Sequence, residues 1–167
     1  ESPEERQKRI RKDQMEEYLL VDGYNVIFAW EDLKELAKVN IEGARNKLMD
    51  VLCNYQGFKK CNLILVFDAY KVQGQELGVQ KYHNIYVVYT KEAETADQYI
   101  EKIVHEIGRK YHVTVATSDN VEQVVTLGQG GKLLSARELR TEVEEVQRQI
   151  REEYLNRPQK GKNYLFD

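Results

Sequence analysis

Long apolar runs and metal-binding cysteine patterns are both missing from this sequence. No apolar stretch approaches the roughly 18 residues that a membrane-spanning helix needs, and the polar, charged amino-terminal end does not resemble a signal peptide. We therefore expect a cytoplasmic protein without a membrane segment. The two cysteines, Cys53 and Cys61, have no Cys or His neighbours at zinc-binding spacing, so we interpret them as reduced thiols.

The sequence also lacks an excess of basic residues. Lys and Arg number 25 against 28 Asp and Glu, which gives a formal net charge of −3. Domains that hold naked nucleic acid tightly are usually basic, so this balance argues against such a binder. It is compatible with an enzyme whose own acidic site lowers the total. A length of 167 residues that are 41% hydrophobic predicts one globular domain with a substantial core.

Two nucleotide-handling signatures are absent as well. The segment from Gly128 to Gly131 lacks the glycine spacing and the Lys-Ser/Thr pair of a phosphate-binding loop. We interpret it as a helix stop followed by a turn. A phosphatase-type hydrolase acting on small phosphates would need an Asp-x-Asp nucleophile, and Asp22-Gly-Tyr does not supply one.

The distribution of charge divides the chain into three parts. Residues 1–17 are rich in Glu, Arg, Lys and Gln with almost nothing apolar, which predicts a charged leader, either a linker or an exposed helix. Residues 18–157 carry the patterns of a folded domain, and residues 158–167 form a polar tail after Arg157. Because the sequence begins at Glu1 and not at Met, we expect a piece of a longer protein.

Four short apolar runs predict buried strands. They are rich in β-branched and aromatic residues, as in parallel strands covered on both faces. They span residues 18–21, 62–67, 85–89 and 113–116. Between them, the segment from Tyr70 to His83 is polar and contains glycine, and we expect an irregular loop there.

Helical patterns alternate with these runs. Asn40 is a candidate N-cap for a helix that follows it, and Thr95 with Gln98 and Ser135 with Glu138 have capping-box spacing. A further short helix is predicted from Val121 to Leu127. Strands that alternate with helices predict an α/β fold with a mostly parallel sheet flanked by helices.

Acidic residues follow the ends of the predicted strands. Asp22, Asp68 and Asp119 each come after one strand, and the remaining strand leads into a loop that holds Glu94 and Asp97. The carboxyl ends of parallel strands meet at one edge of a sheet, where such folds bind ligands. Clustered carboxylates need a counter-charge, and oxygen ligands of this kind suit Mg²⁺ or Mn²⁺. A divalent cation on carboxylates favours hydrolysis of a phosphodiester.

Each acid also has a structural interpretation that stays open. Asp22 and Asp68 could form turns after their strands, and Asp119 could cap a short helix. Glu94 and Asp97 could interact with a helix dipole. Acids in four separate motifs at one edge favour the functional interpretation over an independent structural explanation for each.

The motifs that carry these acids resemble those of the NYN-domain nucleases, a branch of the PIN-like superfamily. The final helix start is similar to that of the YacP-like subgroup. The resemblance covers roughly Tyr18 to Tyr154, with the motifs in order. The matching segments are Asp22-Gly-Tyr-Asn25, Phe67-Asp-Ala-Tyr70, Glu94-Thr-Ala-Asp97, Thr117-Ser-Asp119 and Ser135-Ala-Arg-Glu-Leu139.

The resemblance implies a PIN-like three-layer fold and metal-dependent endoribonuclease activity. YacP-like members include a bacterial enzyme that cuts messenger RNA in association with the ribosome, so mRNA and the ribosome are the implied partners. Carried over by motif, Asp22, Asp97 and Asp119 would be the metal ligands. Asn25 would support the first acid or contact a phosphate. Asp68 and Glu94 would complete the catalytic set, Glu94 as a ligand or by orienting its helix. The leader also suggests fusion to a preceding, translation-related domain.

RNA binding should require cations and stacking surfaces near the acidic edge. The predicted RNA-binding residues are Arg45, Tyr70, Lys71, Lys81, Lys91 and Arg137. Further aromatic candidates are Tyr24, Trp30, Tyr82 and His83, although Trp30 could equally pack in the interior. The alternative to an enzyme is a non-catalytic or weakly catalytic module that binds RNA or the ribosome. A pure binder should tolerate Asp22→Asn.

Overall fold

The computed structural model describes residues 1–13, 16–69 and 78–157, in which helices and strands alternate. The elements are α1 (Pro3–Asp13), β1 (Glu17–Asp22), α2 (Gly23–Ala29), α3 (Glu31–Val39), α4 (Ile41–Lys59), β2 (Asn62–Phe67), β3 (Gly78–Tyr82), β4 (Ile85–Tyr89), α5 (Ala96–Ile107), β5 (His112–Ala116), α6 (Asn120–Gly128), β6 (Lys132–Leu134) and α7 (Ala136–Asn156). The charged leader is thus helical over Pro3–Asp13. None of the helices within the described ranges is long and apolar enough to cross a membrane.

A six-stranded sheet forms the centre of the molecule, in the order β3-β4-β2-β1-β5-β6. All neighbouring strands are parallel except β3 and β4, which are antiparallel. In the middle of the sheet, Leu20 of β1 pairs with Ile64 on one side and with Val115 on the other. The predicted α/β fold with a mostly parallel sheet is confirmed, as are the four predicted strands.

Helices cover the sheet on both faces and give a three-layer arrangement. On one face, α2, α4 and α7 bury residues such as Leu48, Leu52 and Leu139 against the strands. On the other face, α5 buries Ile100 and Val104. Each cluster removes a large apolar area from water, which is the main favourable contribution to folding.

Side chains cap the helices as their sequence patterns predict. The Asn40 side chain accepts from the Gly43 N–H at 2.8 Å at the start of α4. The capping boxes Thr95–Gln98 and Ser135–Glu138 are both present, at the starts of α5 and α7. These caps satisfy backbone donors that a helix leaves free, and they fix where α5 begins.

The expectation of an irregular loop from Tyr70 to His83 is wrong for the part that the structure describes. Residues 70–77 lie outside the described residues, but Gly78–Tyr82 forms the edge strand β3. Val79 and Lys81 are exposed, so β3 has the alternating pattern of an edge strand and not a continuous apolar run. The very short β6 and the helices α2 and α3 were not predicted either.

Candidate metal centre and active-site cleft

Strand β1 ends at the point where the strand order of the sheet reverses. From β1 the chain passes through α2, α3 and α4 to its neighbour β2, whereas the later connection through α5 crosses to β5 on the other side of β1. Open α/β sheets bind ligands at such a switch point, outside the carboxyl ends of the strands. Asp22, the last residue of β1, occupies this point.

A cleft of about 510 Å³ opens at the same edge. This volume is within the usual range of ligand sites, roughly 300–1,000 Å³. The cleft contains five of the six predicted catalytic residues, and Glu94 is not among its lining residues. The lining residues are Asp22, Tyr24, Asn25, Phe28, Ala29, Asp68, Thr95, Asp97 and Asp119.

Three carboxylates converge beside this cleft. Asp22, Asp97 and Glu122 each place an oxygen so that the three oxygens lie within 4.8 Å of one another. Asp22 and Glu122 are 6% and 4% exposed. Both carboxylate oxygens of Glu122 are buried, and no hydrogen-bond partner for them lies within the described ranges. Buried polar atoms without partners are costly, so their presence points to a missing counter-charge.

The electrostatics of this cluster follow from its burial. Burial raises the pKa of Glu122, and the neighbouring carboxylates of Asp22 and Asp97 raise it further. The pKa of Asp22 is also raised, mainly by burial and additionally by the charges of Asp97 and Asp68. The cluster therefore holds a proton or a cation more readily than an isolated carboxylate would.

The donor chemistry fits a hard divalent cation. All three candidate ligands are carboxylates, and neither His nor Cys belongs to the cluster. Oxygen donors of this kind prefer Mg²⁺ or Mn²⁺ over zinc. The residues that could hold the ion are thus Asp22, Asp97 and Glu122.

Asp119, the third ligand expected from the motif, lines the cleft in a different role. Its side chain accepts from the Glu122 N–H at 3.0 Å and so caps α6. The structural interpretation of Asp119 is therefore observed, and the residue also lines the cleft. One helical turn further on, Glu122 takes the position in the acidic cluster.

Hydrogen bonds tie the end of β1 to the loop after β5. Thr117 donates from Oγ1 to the Asp22 carboxylate at 3.4 Å and accepts from the Asp119 N–H at 3.1 Å. Asn25 accepts from the Ser118 N–H at 2.8 Å. Asn25 therefore holds the loop that carries Asp119, and these contacts set the relative positions of β1 and α6.

The remaining predicted acids differ in their surroundings. Asp68 accepts from the Ala96 N–H at 2.5 Å and so holds the first residue of α5, which also carries Asp97. Glu94 pairs with Lys102 at 3.4 Å. Both roles considered for Glu94, a ligand or a residue that orients the helix start, stay predictions.

The four predicted RNA-binding residues that the structure describes differ in their surroundings. Arg45 is buried, and its guanidinium donates to the Tyr24 hydroxyl at 3.2 Å. Lys81 lies over the Tyr86 ring at 5.7 Å on the β3–β4 edge. Lys91 and Arg137 are exposed. Tyr70 and Lys71 lie outside the described residues.

Trp30 packs in the interior, the alternative that its sequence position left open. It is 3% exposed, and its indole N–H donates to the Ala136 carbonyl at 2.7 Å. Tyr24 is also buried, although part of it reaches the cleft. Neither ring is a free stacking surface.

Sequence reasoning missed Glu122 because α6 inverts the usual amphipathic pattern. Its apolar residues Val121, Val124 and Leu127 are exposed, whereas the polar Glu122 and Thr126 are buried. The Asp119-x-x-Glu122 spacing is that of a helix cap, which gives the glutamate a sufficient structural explanation. The one available signal was a further acid one helical turn after the predicted site residue Asp119.

A PIN-like fold with carboxylates at its switch point is the architecture of a nuclease-type domain. The sequence model of the YacP-like NYN domain matches residues 19–167, and the chain belongs to that family. It is 45% identical over 133 residues to YacP of Bacillus subtilis strain 168, a protein described as uncharacterized. That alignment covers 79% of this chain and 78% of the relative.

Comparison with solved structures supports the same family assignment. The chain is similar to the crystal structure of Rae1 (YacP) from Bacillus subtilis, with a TM-score of 0.72 and 43% identity, over 82% of this chain and 79% of that one. A mutant form of the same protein matches with a TM-score of 0.71 and 41% identity, over 81% and 80% of the two chains. The PIN-like fold expected from the motifs is thereby confirmed.

Proposed function

We propose that this chain is a metal-dependent endoribonuclease that hydrolyses phosphodiester bonds of RNA. The observation that carries the proposal is the cluster of Asp22, Asp97 and Glu122, whose glutamate oxygens are buried without partners inside the described ranges. Such a cluster supports cation-dependent chemistry because burial and like charge both oppose its empty, fully ionised form. Membership of the NYN family supports RNA as the polymer.

Each residue of the site has a role in this proposal. Asp22, Asp97 and Glu122 hold the cation, and Thr117 keeps the Asp22 carboxylate in place through its hydroxyl. When bound, a divalent ion supplies Lewis-acid chemistry that activates a water for in-line attack and stabilises charge on the leaving oxygen. Asp68 holds the start of α5 and thereby positions Asp97.

The proposed substrate context is messenger RNA on the ribosome, in the cytoplasm. The chain has a net charge of −3 and an acidic cleft, so its own attraction for the RNA backbone is weak. A partner that holds the RNA raises its local concentration at the cleft and removes the need for a strongly basic surface. The family resemblance supports the ribosome as that partner.

The test is cleavage of end-labelled single-stranded RNA with Mg²⁺ or Mn²⁺, with and without ribosomes. Asp22→Asn and Asp97→Asn should each lower the rate by about two orders of magnitude or more, because they remove a cation ligand. Asp50→Asn is the matched control. Asp50 is an exposed aspartate of α4 that accepts from the Tyr82 hydroxyl at 2.7 Å and does not line the cleft.

The outcomes separate the candidate functions. Cation-dependent cutting that both site variants lose and the control keeps supports the nuclease. Cutting that survives both variants contradicts the assigned site. Binding of RNA or ribosomes without cutting under any condition, unchanged by Asp22→Asn, favours the alternative of a non-catalytic binding module.

A further inference from the structure

An exposed aromatic ring forms part of the wall of the acidic cleft. Phe28, near the end of α2, is 49% exposed and lines the cleft together with Tyr24 and Ala29. Most other lining residues are polar or acidic. About half of this apolar ring is accessible inside a cleft whose other walls are mostly polar, so it is the largest apolar surface there that a ligand could contact.

The inner face of this ring is firmly supported. Tyr24 and Phe28 lie one helical turn apart, and their rings stack at 6.2 Å between centroids with planes 22° apart. Tyr24 packs in turn on Phe67 at 5.0 Å and accepts a hydrogen bond from the buried Arg45. Because one face of its ring packs on the buried Tyr24, Phe28 can offer its other face to a ligand with little loss of side-chain entropy on binding.

Phe28 is also placed at a suitable distance from the acids. Helix α2 begins directly after Asp22, so about 9 Å of helix rise separates Asp22 from Phe28. In a nucleotide, the base lies several ångströms from its phosphate. A phosphate near Asp22 and Asp97 would therefore leave an adjacent base within reach of the Phe28 ring.

We propose that Phe28 stacks on a nucleobase next to the phosphate that is cut, so that the cleft takes RNA with unpaired bases at that position. This inference rests on the proposed nuclease function and assigns a specificity-determining residue to the same cleft. Stacking on aromatic rings is the usual way in which proteins hold single-stranded bases. A phenyl ring has no hydrogen-bonding groups, so Phe28 selects an accessible base without selecting its identity.

The experiment uses short RNAs that carry the fluorescent base 2-aminopurine at successive positions, mixed with the protein and Mg²⁺. Stacking against Phe28 should quench the fluorophore at one or two positions. Phe28→Ala should abolish that quenching and weaken RNA binding about tenfold, the usual effect of losing one stacked base. Phe28→Trp, which keeps an aromatic surface, should retain both.

The matched control is Tyr154→Ala. Tyr154 is 72% exposed on α7 and does not line the cleft, so its removal should change neither quenching nor binding. Equal thermal unfolding midpoints for the two alanine variants would show that both remain folded. An RNA with an abasic site at the quenched position should bind the native protein and Phe28→Ala equally weakly.

The fluorescence readout does not depend on cleavage. Quenching that requires Phe28 supports the inference whether or not the RNA is cut. If such quenching is seen but the RNA is never cut, the proposed nuclease function fails and the stacking inference stands. Quenching that Phe28→Ala leaves unchanged overturns the inference, even if the RNA is cut. Equal binding of the same RNA after annealing to its complement also overturns it.

Discussion

Glu122 has both carboxylate oxygens enclosed beside Asp22 and Asp97. Its pKa is raised first by burial and then by the Asp22 charge. In the cation-free protein, the folded state therefore keeps a proton that the unfolded chain, with an ordinary value of 4.5, has already released. With neither a proton nor a cation bound, the ionised Glu122 lies buried beside two other carboxylates and destabilises the folded state.

A pH dependence of stability follows from this shift. The stability that protonated Glu122 provides is fully present below pH 4.5 and is lost as the pH rises towards its folded-state pKa. Because the pKa of Asp22 is raised only to about 6, the slope due to Glu122 alone lies above that pH, and we expect the free energy of unfolding of the cation-free protein to fall between about pH 7 and about pH 8. The slope should approach about 1.4 kcal/mol per pH unit. Urea unfolding with a chelator present, at several pH values, measures it.

Glu122→Gln keeps the shape of the side chain and removes the titrating group. It should flatten this slope and stabilise the cation-free protein above neutral pH. Glu92→Gln, at an exposed position in the loop before α5, should keep the native slope. A native protein whose stability is constant or rises over this range would contradict the argument.

The acids of the cleft could be predicted as a group because they lie at or after the carboxyl ends of the four central strands. Asp22 and Asp68 stand directly at the ends of their strands, whereas Asp97 and Asp119 follow after a short loop, and all four line one cleft. The position of Glu122 could not be predicted, since its burial depends on how α6 lies against α5 and β6 and not on the local pattern. The buried location of Arg45 likewise depends on Tyr24, which is distant in sequence.

At the scale of elements, the junction of β1 and α2 depends on a close approach of two backbones. A Cβ added at Gly23 would lie against the Phe67 ring and 2.9 Å from the Val66 carbonyl oxygen. The neighbouring strand β2 thus leaves space only for glycine. The same junction carries Asp22, so it fixes the position of the first carboxylate of the cluster.

Gly23→Ala should consequently destabilise the fold by about 1–3 kcal/mol or more, because rigid backbone must move. Gly128→Ala is the comparison, since a Cβ at that position at the end of α6 meets nothing within 4 Å. It should be neutral or stabilising by up to about 1 kcal/mol. Equal urea midpoints for the two variants would show that the close approach of β2 to Gly23 does not limit the size of the side chain there.

The strands that could be predicted from the sequence are those that are buried on both faces. The central strands β1, β2, β4 and β5 are covered on both faces over much of their length, and their continuous apolar runs predict them correctly. The edge strand β3 has exposed Val79 and Lys81, and β6 has only three residues. Edge strands are defined by their pairing partner, which no local pattern reveals.

Considered as a whole, the molecule carries an acidic cleft on a chain of net charge −3. A divalent cation that binds only the folded state stabilises it by mass action, by about 2.7 kcal/mol at a hundredfold excess over its dissociation constant. Mn²⁺ or Mg²⁺ should therefore raise the thermal unfolding midpoint of the native protein in a concentration-dependent way. Differential scanning calorimetry measures this shift.

Variants of the cluster give the control for that measurement. Asp97→Asn should lose most of the cation-dependent shift, and Asp50→Asn should retain it. Sodium chloride at matched ionic strength should have little effect, because screening alone supplies no ligand. A shift of equal size with sodium would mean that the stabilisation is not specific to the cluster.

The carboxylates of the cluster come from distant parts of the chain. Asp22 ends β1, whereas Asp97 and Glu122 arrive only after β2, β3 and β4, and Glu122 also needs β5 to have crossed the sheet. During synthesis, the cluster of three carboxylates is therefore complete only once most of the domain has emerged and β5 has paired with β1. A chain whose synthesis stops before α6 carries Asp22 and Asp97 without the third carboxylate, so it should lack the cation-dependent stabilisation expected of the whole domain.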